Sequence, residues 1–241
     1  METTRIEAIL DEAEGAVSSG SPIGPTGFWR AVGAVKRDPS LVEEHADRIA
    51  RIDRAALKNW ALLTVPLWLG NVLAVGATLI GLVLVAWAYS LQGTEAGLAF
   101  LLGFGIVLVT THGLGHLVVG FVLGMRFTHW FLASLRQPNP GVKVDYATYL
   151  RVPAGSRAWM HAAGAITTKI MPFAFLGAAL AADLPGWTIV LLVVIGVGQI
   201  VTDFLWSTKE SDWKKFRREM AYADEESNGG TGPGSSGQSG S

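Results

Sequence analysis

Two long stretches without a single charged side chain decide what this chain can fold into: Ala61 to Leu91 and Gly97 to Met125. Each exceeds the roughly 20 residues that a helix needs to cross a bilayer. In lipid the backbone must satisfy its own hydrogen bonds, and a helix does so within one segment. Two further apolar runs follow. One spans about Trp159 to Ala182 and is interrupted by Lys169 and Pro172; the other runs from Pro185 to Trp206 and carries Asp203 near its end. The expected architecture is therefore an all-α polytopic membrane protein with four transmembrane helices, at 61–91, 97–125, 159–182 and 185–206.

The distribution of basic residues sets an expected orientation. The connections Gln92 to Ala96 and Asp183 to Pro185 hold no Lys or Arg, whereas residues 1–57, the loop 126–158 and the C-terminal tail hold nearly all of them. The positive-inside rule puts both termini and the long loop in the cytoplasm, here of a prokaryotic plasma membrane. Trp60, Trp87, Trp159, Trp187 and Trp206 fall near span ends, where aromatic belts lie. The bilayer is thus the first partner, and a net charge of −1 gives no reason to expect nucleic acid. The chain has no cysteine, so disulfides and thiolate ligands are excluded and His, Asp and Glu remain as metal ligands.

Outside the spans, residues 1–57 read as cytoplasmic amphipathic helices with no signal-peptide pattern. Ile6, Leu10, Ala13 and Val17 share one face; Gly20 to Gly27 is turn chemistry. Ser40 to Glu43 has capping-box spacing, opening a helix with Leu41, His45, Ile49, Ile52 and Ala56 on one side that is expected to run into the membrane. Alternation from Gly141 to Tyr146, continuing to Val152, predicts a short cytoplasmic β-hairpin or edge strand. Residues 207–226 read as a basic, aromatic helix at an anionic inner leaflet, and 227–241 as a disordered Gly/Ser tail.

Chemistry concentrates in Thr110-Thr111-His112-Gly113-Leu114-Gly115-His116. On a helix, imidazoles four residues apart lie on one face, where they have two readings: ligands that converge on one ion, or hydrogen-bonding groups that hold a neighbouring helix. Asp203 stands near the same end of its span and has two readings: third ligand of a catalytic-type zinc site, or ion-pair partner of Lys169. Thr111 and Lys169 are candidates to orient the ligands. The expected metal set is His112, His116 and Asp203, holding one zinc ion.

These residues resemble the site-2 protease family of intramembrane zinc metalloproteases. In that family one span carries His-Glu-x-x-His, a later span supplies an Asp ligand, and the site opens to the cytoplasm. His112 and His116 match the histidines, Asp203 is similar in placement to the aspartate, and Ala162 to Thr168 looks like the small-residue segment of the third core span. The loop around Val142 to Tyr149 is similar to the strand region where that family's substrates are thought to lie, which implies a transmembrane or peptide substrate or partner. The sequence departs from the pattern at Gly113, where the family has its catalytic Glu. Two functional readings follow. The chain is a divergent metallopeptidase in which Asp145 or His161 replaces the base in the space beside Gly113, or it is an inactive pseudoprotease that binds or regulates at the membrane.

Overall fold

The computed structural model describes residues 3–134, 137–205 and 211–229. Trp206, the start of the expected C-terminal helix at 207–210, and the Gly/Ser tail from 230 onward lie outside the described residues. The chain opens with three helices, α1 (Thr3–Ser18), α2 (Phe28–Val35) and α3 (Pro39–Trp60). Ile6, Leu10 and Ala13 of α1 are buried as their spacing predicts, joined by Ile9. Gly20 and Gly27 take positive φ, 73° and 83°, in the turn between α1 and α2, a conformation that glycine reaches without steric cost. The α3 cap is Asp38 rather than Ser40. Its carboxylate accepts from Ser40 N at 2.9 Å, and Pro39 at the first helical position supplies a preset φ.

α3 stops at Trp60 instead of entering the membrane. Leu63–Pro66 form a strand, β1, so the charge-free run from Ala61 divides between a sheet edge and a span. Pro66 has no N–H to donate and sits where the strand hands over to the helix α4 (Leu67–Ala88). α5 (Gly93–Val122) returns across the bundle and carries the two histidines. β2 (Phe127–Ser134) and β3 (Gln137–Val144) follow, giving an antiparallel sheet of order β1-β2-β3 with Val65 opposite Trp130 and Trp130 opposite Val142. The expected continuation of the hairpin through Val152 is instead a helical turn, α6 (Tyr146–Arg151). α7 (Ala154–Ala181), α8 (Gly186–Leu205) and α9 (Asp212–Gly229) complete the described residues, α9 reaching three residues beyond the expected boundary.

Among the described residues, α4, α5, α7 and α8 are long and apolar enough to cross a membrane. Their outward side chains are apolar and uncovered, Val83 at 67% and Phe121 at 71% exposure, as lipid-facing positions must be. Inside, small residues bring backbones together. A Cβ on Gly81 would lie 2.8 Å from the Gly103 carbonyl oxygen, and Thr78 and Thr110 share a 2.7 Å hydroxyl contact across the same α4/α5 seam. One apolar cluster joins α1, α2 and α3 to Met125, Tyr149, Leu150 and Met160; the other gathers Val85, Phe100, Phe104, Phe175 and Leu192 at the far end of the bundle. Because the spans alternate in direction, α1–α3, the sheet, α6 and the start of α9 all belong to one end.

Candidate metal centre

Helix geometry brings His112 and His116 to one face of α5, their ring centroids 4.8 Å apart and edge-on. That face meets α7, where the small segment foreseen in the sequence permits close approach. A Cβ on Gly164 would overlap the His116 ring, and one on Gly115 would stand 2.8 Å from Thr167 Oγ1. His116 is held by Met160: its Nδ1 lies 2.7 Å from the Met160 carbonyl oxygen. A carbonyl can only accept, so Nδ1 carries the proton and Nε2 is turned the other way.

The carboxylate found there is Asp212, in the first turn of α9. Its Oδ2 is 3.2 Å from His116 Nε2 and 3.4 Å from His112 Nε2. The three donor atoms lie within 4.8 Å of one another, making this the three-residue His/Asp group with metal-ligand spacing among the described residues. Asp203 is elsewhere in the same cavity, with its carboxylate paired to the Lys169 ammonium of α7. Of the expected set, then, the structure brings together His112 and His116, leaves Asp203 with Lys169, and adds Asp212. Thr111 does not turn to the ligands: its hydroxyl donates to the Val107 carbonyl at 2.6 Å, the local helical bond typical of its residue type.

The donor set fits a zinc-type ion. Metal-binding histidines usually give their other ring N–H to a carbonyl or carboxylate, as His116 does. A tetrahedron with bonds of about 2.0–2.1 Å has edges of ~3.3 Å, close to the two nitrogen–oxygen separations here. Without a cation, His116 would have to carry a second proton to donate from Nε2 to Asp212, since its Nδ1 proton is already given to the Met160 carbonyl; a metal ion takes that nitrogen as a neutral-ring donor instead. At Asp212 burial pushes the carboxyl up, while the hydrogen bond and charge of His116, with His112 and Lys215, pull it down to about 2.

α9 reaches this position because it runs antiparallel along α7 and is tied at each turn. Phe216 packs edge-on against Trp159, Glu219 accepts from Arg157 Nε at 2.7 Å and pairs with the Lys36 ammonium, and Glu226 accepts from Ala154 N at 3.2 Å. Glu219 is fully buried. Burial alone would raise its carboxyl, but Lys36 and Arg157 outweigh that and hold it below the usual range. Lys36 is pushed down to about 8 by desolvation that Glu219 only partly offsets.

The space beside Gly113 is taken. The Trp130 indole of β2 lies there, so that a Cβ on Gly113 would be 2.6 Å from both Cη2 and Cζ3. The ring also lies against Gly70 of α4 and donates from Nε1 to Asn71 Oδ1 at 2.8 Å, which locks it between α4 and α5. Neither expected replacement base enters that space. Asp145 accepts from Arg54 Nη2 at 2.9 Å and is not part of the cavity wall; His161 is on the wall, its Nε2 2.9 Å from the Tyr149 hydroxyl. The cavity itself, about 840 Å³, lies between the sheet and α5, α7, α8 and α9, with Phe131, Val142 and Val144 on its sheet side.

Asp212 and Trp130 escaped the sequence reading. Asp212 looked like an ordinary acidic first-turn residue of a basic helix; the available signal was the seven-residue spacing to Glu219, which puts two acids on one face. The chain matches no known family, no characterised protein and no solved structure.

Proposed function

We propose that this protein is a zinc-binding intramembrane protein of site-2 protease type that holds a peptide or transmembrane segment without hydrolysing it. His112, His116 and Asp212 would hold the ion. A bound zinc would supply Lewis acidity and a water ionising near pH 7. The observation that carries the reading is Trp130, whose indole fills the place beside Gly113 from which a carboxylate would have to work. Loss of a positioned general base removes about 10²–10⁴ in rate. What remains is a cavity with a sheet wall of Phe131, Val142 and Val144 and a polar floor, suited to an extended apolar segment. The concentration of Lys and Arg at the sheet end supports a cytoplasm-facing site with cytoplasmic termini.

A second reading, residual hydrolysis, is favoured by one observation: His161 lines the same cavity, oriented by Tyr149. One experiment separates them. Purified protein loaded with zinc is mixed with a fluorogenic membrane peptide, beside Gly113→Glu combined with Trp130→Leu. The expected result is binding without cleavage by the wild type. Chelator-sensitive cleavage by the wild type, abolished by His161→Ala, would overturn the proposal.

A further inference from the structure

The two faces of α9 do different work. One face carries Asp212 to the histidines, Glu219 to Lys36 and Arg157, and Glu226 to the start of α7. The opposite face carries Lys214, Arg217 and Arg218, all exposed, and among the described residues none has a carboxylate partner. The acids of this helix are mostly engaged within the protein, Glu225 with Arg37 included, so its cations are left in excess toward the outside. Depth places that excess. Trp159, more than half exposed, packs against Phe216, which meets Trp213 edge-on, an aromatic group of the kind found at headgroup level. At 1.5 Å per residue the three cations lie within ~9 Å of Asp212 along the axis, a distance comparable to the ~8 Å screening length at physiological salt.

We propose that the outer face of α9 binds the headgroups of anionic phospholipids, and that this contact holds Asp212 against His112 and His116, making metal affinity depend on lipid composition. The coupling to metal rests on the proposed zinc site, but the lipid contact does not. A cation at an anionic leaflet gains about fivefold in binding; three together are expected to change zinc affinity by about tenfold or more. Zinc must strengthen the lipid contact by the same factor as the lipid strengthens zinc binding, because the two equilibria are linked.

The test uses the full chain, whose lack of cysteine allows paired labelling without removing native thiols. Spin labels at Ser156→Cys and Ala221→Cys report the α7–α9 separation in vesicles of phosphatidylcholine alone and of phosphatidylcholine mixed equally with phosphatidylglycerol, and zinc affinity is titrated in each. The expected result is one narrow separation and tighter zinc binding only with phosphatidylglycerol, both lost in Lys214→Gln/Arg217→Gln/Arg218→Gln and both weakened by added salt. Identical separations in the two membranes would overturn the proposal. The same narrowing produced by soluble glycerol phosphate in phosphatidylcholine vesicles would overturn it in favour of a free phosphate site. Lipid-dependent separation without zinc binding would uphold the lipid contact and refute the zinc site instead.

Discussion

Gly113→Ala adds a single methyl group, and the structure says where it goes. Its Cβ would stand 2.6 Å from two ring carbons of Trp130, roughly 1 Å inside the 3.5–4.0 Å at which carbon atoms pack. The ring has little room to retreat. Gly70 closes the other side and the Nε1 bond to Asn71 fixes its angle. Overpacking of this kind costs about 1–3 kcal/mol. Gly105→Ala, on the same helix with nothing within 4 Å of the new methyl, is the control; there alanine is expected to be neutral or to stabilise by up to about 1 kcal/mol. Unfolding free energies in mixed micelles, followed by far-UV circular dichroism, provide the readout. Trp130→Leu removes both ring carbons, so Gly113→Ala should cost nothing measurable in that background, leaving a coupling of about 1–3 kcal/mol. A Gly113→Ala protein as stable as Gly105→Ala, or a coupling near zero, would refute the claim that Trp130 occupies the general-base position.

Other expected outcomes follow from the same contacts. Gly164→Ala pushes the His116 ring off its place beside Met160 and should weaken zinc binding by about 10–100-fold in a competition titration, with the fold retained by circular dichroism. Glu219→Gln leaves Lys36 buried without its counter-charge and Arg157 with only Glu226 at 3.5 Å, and should destabilise the protein by about 3–5 kcal/mol and free α9 to faster hydrogen exchange. The Glu219 carboxyl is held below its unfolded value, so its contribution is present above about pH 4.3 and is lost as pH falls through the folded value. Stability measured against pH should therefore drop on the acid side in the wild type and be flatter there in Glu219→Gln.

The membrane helices were legible because lipid leaves so few options: a charge-free run of sufficient length must be helical wherever it is exposed to hydrocarbon. Their boundaries were less so. Ala61 to Pro66 are as apolar as the span after them, and only pairing with β2 makes Leu63–Pro66 a strand. The His pair could be read from spacing alone, since two residues of one helix need no tertiary information to share a face. The third member could not. Asp203 and Asp212 are both acids near the same end of the bundle, and the choice between them turns on Lys169, which takes Asp203, and on the Glu219 tie that brings α9 back along α7. Gly113 stands out in the sequence, but the occupant of the space beside it sits seventeen positions along the chain on a strand, and no local pattern links Trp130 to it.

The account turns on which carboxylate completes the site, and metal content per chain answers that most directly. Detergent-purified wild type, His116→Ala, Asp212→Asn and Asp203→Asn should be compared after zinc loading and dialysis. The account predicts one zinc in the wild type and in Asp203→Asn, and none in His116→Ala or Asp212→Asn. Zinc retained by Asp212→Asn and lost from Asp203→Asn would contradict it.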